Sequence, residues 1–394
     1  MKSGRPSQSK RASGAGTLSA WPLAALLAVL LVAPSRAADS ARWSPEKAKT
    51  WAASHPAPVG ANYLPAYAVN QLEMWQADTF DLQRIDRELG WARDLGFNSM
   101  RVFLHNLAWR EDPEGFLDRM DRFLGVAQKN GITVLFVVFD GVWNPLPHAG
   151  RQPAPTPGVH NSQWVQSPGV ALLVNGSRHG ELEAYVKSVL GRFRDDPRVC
   201  GWDLFNEPNN DNARSYAAKE TPEKEWYSLI LLHEVFRWAT EADPSQPLTS
   251  GVWRGTWDVH DPAIDPVARF QLENSDVISF HCYRPLNMLE AWTAPLGSMG
   301  RPLWCTEYMA RPMGSTFEAI LPYLRRHGVG AYCWGFVSGK SQTKFAWSTW
   351  GEPEKGEPHP WFHDILRTDG TPYDPTETRF LRELLTGSSS GAGR

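Results

Sequence analysis

The stretch Val199-Cys200-Gly201-Trp202-Asp203-Leu204-Phe205-Asn206-Glu207-Pro208 decides the fold. Its first eight residues are mostly apolar without strict polar alternation, as in a parallel strand buried on both faces. The polar pair Asn206-Glu207 is left at the strand's C-terminal end.

Working outward, runs of the same kind recur along the chain. Strands are expected at Val59–Asn62, Ser99–Leu104, Thr133–Asp140, Val199–Asn206, Leu248–Val252, Val277–Tyr283, Pro302–Glu307 and Val329–Phe336. Amphipathic patterns lie between them. Leu182, Tyr185, Val186, Val189, Leu190 and Phe193 make one helical stripe, and Phe317, Ile320, Leu321 and Leu324 make another after a capping segment at Ser315-Thr316. Phe116, Met120, Phe123, Leu124 and Ala127 give a third, ended near Asn130-Gly131. Eight strands alternating with helices fit a closed parallel α/β barrel, (β/α)8, better than an open doubly wound sheet. No glycine-rich phosphate loop follows the first strand, which weakens a nucleotide-binding reading. The links at 141–178 and 337–358 are long, and both follow strands, so both belong to the face where barrel enzymes build their sites.

Residues 1–37 read as an export signal: Lys2, Arg5, Lys10 and Arg11, an apolar run from Leu18 to Ala33, then Ser35-Arg36-Ala37. Cleavage after Ala37 is expected, giving a secreted or periplasmic protein with no membrane attachment; an uncleaved anchor is the alternative. The barrel domain is expected over 38–386, with a disordered Gly/Ser tail at 387–394. The chain has 40 basic and 43 acidic residues. Removing the signal takes away five cations and no acids, for a net charge of about −8. No basic field argues for nucleic acid. A monomer is expected.

The four cysteines, Cys200, Cys282, Cys305 and Cys333, fall inside predicted strands and do not make a disulfide framework. If His281 and Glu307 face the barrel interior, strand parity turns Cys305 in and Cys282 out, so free thiols are expected. Their spacing is not that of a metal site.

Two strands end in glutamate: the fourth at Glu207, and the seventh, Arg301-Pro302-Leu303-Trp304-Cys305-Thr306-Glu307, at Glu307. Glycosidic hydrolysis needs two carboxyl groups flanking the anomeric carbon, one protonated and one ionised. Strands four and seven lie across a barrel from each other. Taken singly, Glu207 would also suit a helix start, and Glu307 a buried salt bridge.

With the Asn206-Glu207-Pro208 triplet, the second glutamate and their companions in barrel order, the sequence resembles glycoside hydrolase clan A, most closely family 5, over essentially the whole mature chain. The resemblance implies a retaining hydrolase of β-linked oligo- or polysaccharides, of cellulase, mannanase or xylanase type, with no cofactor or metal. It makes Glu207 the acid/base and Glu307 the nucleophile. Arg101 is implied to hydrogen-bond the nucleophile and keep it ionised, and Asn206 to hold the sugar 2-hydroxyl. His281 and Tyr283 are implied to orient the carboxylates, Trp334 to floor a sugar subsite, and His105 to touch substrate. A non-catalytic carbohydrate-binding barrel and a transglycosylase on the same carboxylate pair are the competing readings.

Nineteen tryptophans are many. Trp75, Trp109, Trp143, Trp164, Trp253, Trp257, Trp334, Trp347 and Trp350 fall at or beyond strand ends, where an indole can cover the apolar face of a pyranose. Glu73 reads equally as a sugar ligand or a loop charge, and Asp140 as a substrate contact or a cap. Asn175-Gly176-Ser177 fits an N-glycosylation sequon.

Overall fold

The computed structural model describes residues 42–387. The expected signal at 1–37 lies outside the described residues, as does all but Gly387 of the expected tail. Eight strands form one parallel sheet: β1 Val59–Tyr63, β2 Ser99–Phe103, β3 Thr133–Asp140, β4 Val199–Asn206, β5 Leu248–Thr249, β6 Ile278–His281, β7 Leu303–Tyr308 and β8 Gly330–Cys333. They follow the order β5-β4-β3-β2-β1-β8-β7-β6. The seam between β5 and β6 is closed by Asp276 N–H to Leu248 O at 2.8 Å, Val252 N–H to Ser279 O at 3.0 Å and His281 N–H to Val252 O at 2.9 Å. The sheet is therefore a closed (β/α)8 barrel. Among the described residues, no helix is long and apolar enough to cross a membrane.

Helices form where the apolar stripes place them. Helix Pro113–Lys129 starts on Asp112, which accepts from Gly115 N–H, and buries Phe116, Met120, Phe123, Leu124 and Ala127. Gly131, at φ 70°, lets the chain leave in the left-handed region that glycine tolerates. Helix Phe317–Arg326 is capped by the Thr316 side chain, and helix His179–Arg192 buries the stripe that begins at Leu182. Each fully buried Leu or Phe in these stripes contributes about 1.5–3 kcal/mol.

The barrel interior is layered. Leu135, Val277, Trp304 and Tyr332 pack together as its floor. Above them is a polar belt, in which Arg101, Asp203, Thr249, Ser279 and Thr306 are all fully or almost fully buried. The strand ends above that belt carry the carboxylates.

Alternation fails in β6 and β7. Register shifts between Phe280 and His281 and between Cys305 and Tyr308 let Trp304 and Glu307, three residues apart, both serve the interior. Cys305 therefore packs in the barrel–helix core with Cys282, against the inward position that parity predicts. All four thiols are free. The expected strands at Leu248–Val252, Val277–Tyr283 and Val329–Phe336 are shorter as ladders than as apolar runs, which leaves Tyr283 and Trp334 on the turns just beyond.

Candidate active site

Glu207 follows β4 with φ 40°, an unusual backbone conformation for a residue with a side chain. Its surroundings hold it there. Its carbonyl accepts from Asn210 N–H at 3.0 Å, and the Asn206 carbonyl accepts from Gly141 N–H at 2.9 Å. A Cβ on Gly141 would lie 2.2 Å from the Glu207 carbonyl oxygen, so only glycine lets the turn after β3 pass beneath.

The turn aims the Glu207 carboxyl across the barrel mouth. Its Oε1 lies 2.8 Å from His281 Nδ1, and its Oε2 accepts from Asn210 Nδ2 at 2.7 Å. Glu307 meets it from β7. Glu307 Oε1 accepts from Arg101 Nη1 at 2.8 Å, and Oε2 accepts from Tyr283 OH at 2.7 Å. One atom from each of Glu207, His281 and Glu307 lies within 4.8 Å of the others. A cation placed among them would stand beside the Arg101 guanidinium, which already balances Glu307.

Arg101 organises the belt below. Its Nε and Nη2 donate to Asp203 Oδ2 at 3.0 and 2.8 Å, its Nη1 also to Asn62 Oδ1 at 2.7 Å, and its Nη2 to Asn206 Oδ1 at 2.6 Å. Asn206 passes the chain on through Nδ2 to Asp140 Oδ1 at 2.9 Å. The guanidinium is completely buried, and two carboxylates offset its desolvation.

Burial pushes the Glu207 carboxyl up to about 7, with the Asn210 hydrogen bond and the Arg101 charge pulling the other way. Burial also pushes Glu307 up, and the neighbouring Glu207 adds to the rise. With burial holding His281 down to about 4 and so neutral, the opposing pull on Glu307 comes from the Arg101 charge and the Tyr283 hydrogen bond. A fixed cation touches Glu307 and none touches Glu207. Glu307 thus ionises first, and the two groups are separated into base and acid. His281 Nε2 is buried without a partner, which assigns the ring proton to Nδ1, facing the carboxyls.

The cavity above the pair measures about 510 Å³, and Glu207, Glu307, Asn206, His281, Tyr283 and Trp334 all line it. Arg101 sits beneath. His105 is placed differently from the expected sugar contact. It is fully buried, it does not line this cavity, and its Nδ1 caps helix Asn106–Glu111 by accepting from Leu107 N–H. Glu73 is a cap as well: Oε2 accepts from Val69 N–H at 2.6 Å and Oε1 pairs with Lys340. Asp140 is a buried hub that accepts from Trp164 Nε1, Gln71, Val142 N–H and Asn206. Asn175 of the sequon is exposed.

Five of the flagged tryptophans line the cavity: Trp143, Trp164, Trp253, Trp334 and Trp347. Trp75 and Trp257 are buried in the barrel–helix core. Trp109 packs beside Tyr185, with its Nε1 bonded to Ser188. Trp350 packs on Trp143 and Tyr216.

Sequence reasoning missed Asp203, Asn210, His160, Trp292, Arg214 and Arg284. Asp203 had a readable signal, since a lone acid inside an apolar strand has to find a buried cation. The others lie on loops or a helix without a period to expose them.

The two long loops are stitched together over one end of the cavity. Gln342 Nε2 donates to Thr156 O at 2.7 Å and to Val159 O at 2.9 Å, while His160 N–H and Nδ1 bond Thr349 Oγ1 and Phe345 O at 3.0 and 2.8 Å. Asn161 N–H reaches Ser341 O at 2.9 Å.

No protein-family profile and no curated protein matches the chain. Solved structures share its fold. The exo-β-1,4-mannosidase Op5Man5 from Opitutaceae bacterium strain TAV5 aligns at a TM-score of 0.52 with 20% identity, over 84% of this chain and 59% of that one. This chain therefore spans about three fifths of that protein. The GH5_18 protein from Streptomyces cattleya in complex with Manb1-4GlcNAc gives 0.55 at 13% identity, over 85% and 82%. The endo-β-1,4-mannanase from Thermotoga petrophila gives 0.51 at 15% identity, over 86% and 78%. The chain shares its (β/α)8 fold with these structures.

Proposed function

We propose that the protein is an exported retaining β-glycosidase. The observation that carries the reading is the carboxyl pair: two glutamates from opposite strands, with oxygens that approach within 4.8 Å beneath one cavity, only one of them touching a cation. Retaining glycosidases hold their carboxyl groups about 5–5.5 Å apart, and inverting ones about 6.5–9.5 Å apart.

In this reading Glu307, ionised by Arg101 and steadied by Tyr283, attacks the anomeric carbon. Glu207, protonated up to about pH 7, gives its proton to the leaving oxygen. The C–O bond breaks as the glycosyl–Glu307 ester forms. Glu207, now a base, takes a proton from water, which attacks the same carbon and frees Glu307 with configuration retained. Trp334 and Trp164 supply apolar walls for the sugar held in this step.

The stitched loops favour action at chain ends, because they close the aromatic end of the cavity. The mannosidase and the protein bound to Manb1-4GlcNAc make β-mannosides the first compounds to try. The test is a panel of aryl β-glycosides (mannoside, glucoside, xyloside), with the anomer of the first product followed by NMR. A β product formed first from one of them is expected. An α product, or no turnover of any β-glycoside or of mannan, xylan and β-glucan, overturns the proposal.

A further inference from the structure

The cavity is lined by aromatic and by cationic side chains. Loops after β3 and β8 supply aromatic ones. Loops after β4, β5 and β6 add Arg214, Arg254 and Arg284 to the lining of the same cavity. Arg254 is already committed: it pairs with Glu225 at 2.5 Å and Asp265 at 3.0 Å, and it lies 5.6 Å over the Trp253 ring. Arg284 is exposed and lies 5.8 Å over the Trp292 ring, with no carboxylate among the described residues within ion-pair reach. Arg214 is exposed and likewise has no acidic partner among them. The one carboxylate lining the cavity apart from Glu207 and Glu307 is Asp211, whose Oδ1 accepts from Ala213 N–H.

Both open guanidiniums line the cavity that holds the carboxyl pair. Arginine's planar fork suits carboxylate and sulfate oxygens, and stacking on Trp292 holds Arg284 in place without using its donors. We propose that Arg214 and Arg284 bind a negatively charged group on the substrate, a sugar carboxylate or sulfate ester held in the cavity above the carboxyl pair. That the anion is carried by a sugar substrate rests on the glycosidase reading. The anion-binding site itself does not.

The test is therefore a binding measurement, run separately from turnover. Methyl β-D-glucuronoside, methyl β-D-glucoside 6-sulfate and methyl β-D-glucoside are titrated by calorimetry into the full-length protein and into an Arg214→Gln/Arg284→Gln variant checked for folding by circular dichroism. The wild type is expected to bind at least one charged sugar about tenfold more tightly than the neutral one, as one added charge-assisted contact provides. That preference should disappear in the variant and shrink in 0.5 M salt on the order expected for exposed ion pairs. Preference for the glucuronoside alone identifies a carboxylate subsite, and preference for the sulfate alone a sulfate subsite. Equal binding of all three, or a preference that survives both substitutions, overturns the proposal. If the subsite fails while aryl glycosides are turned over, the glycosidase reading stands without it. If nothing is turned over, the titration still decides the subsite.

Discussion

Asp203 and Glu307 hold the same guanidinium from two sides: Asp203 takes Arg101 Nε and Nη2 at 3.0 and 2.8 Å, and Glu307 takes Nη1 at 2.8 Å. All three are buried. Asp203 therefore sets how much of the arginine's charge is left to stabilise the ionised nucleophile. Asp203→Asn should leave Arg101 more fully available to Glu307, so the acidic limb of kcat/KM should move to lower pH. Its amide would replace the unpartnered Oδ1 with a donor that has no acceptor, at a cost of about 1–3 kcal/mol. Arg101→Gln should move the same limb to higher pH and lower stability by about 3–5 kcal/mol, since it strands two buried carboxylates. Limbs that stay in place in both variants would show that Arg101 does not set the ionisation of Glu307.

The carboxyls should separate by role. Glu307→Ala removes the nucleophile, and kcat should fall by about ten-thousandfold or more for every substrate. Glu207→Ala removes only the proton donor and later base. Its glycosylation step should suffer with poor leaving groups and recover with activated aryl ones, and azide should rescue turnover by replacing water. A β-glycosyl azide in the product supports both assignments. An α-azide would mean that the displacement happens once, not twice.

Much of this site is legible in the chain because barrel strands are read along their length and end where chemistry begins. Glu207 and Glu307 stand where apolar runs stop, and Arg101 is a cation inside such a run. Parity was a poorer guide. It assumes an unbroken period of two, and the register shifts of β6 and β7 break that period at the catalytic residues, which turned Cys305 outward. His105 follows a strand as a substrate contact would, yet its ring accepts the Leu107 N–H and starts a helix, a choice fixed by the local backbone. Arg214, Trp292 and Arg284 come from segments placed by tertiary packing, where no local pattern marks what faces the cavity.

The raised Glu207 carboxyl predicts a pH dependence for both activity and stability. Activity needs the proton on Glu207, so kcat/KM should fall as pH rises through about 7. Stability follows the same group. Its folded value lies above its unfolded value of 4.5, so the native state binds the extra proton between those values. The contribution is fully present below about 4.5 and is lost as pH rises through about 7. Glu207→Gln keeps the shape without the ionisation. It should melt above the wild type at pH 8, by up to about 3 kcal/mol, and match it near pH 4. Identical melting at pH 8 would mean that burial of Glu207 has no energetic consequence.

The clamp between the two long loops yields the last prediction. Gln342 is its most concentrated point: one side chain donates to Thr156 O and Val159 O and accepts from Gly158 N–H at 3.2 Å. Its own backbone is held at φ 57°, where a side chain is strained, so the clamp has to hold the turn as well as be held by it. With the clamp intact, substrate reaches the carboxyls from one end, and digestion of a soluble β-glycan should release short products while viscosity falls slowly. Gln342→Ala removes three hydrogen bonds worth about 1 kcal/mol each. Amide exchange over residues 156–160 should quicken, and KM for short substrates should rise several-fold with little change in kcat, because the carboxyl pair lies beneath the loops and keeps its own contacts. If instead the wild type cuts internal bonds from the outset, with a rapid drop in viscosity and long products, the loops wall a through-going groove and the chain-end reading fails.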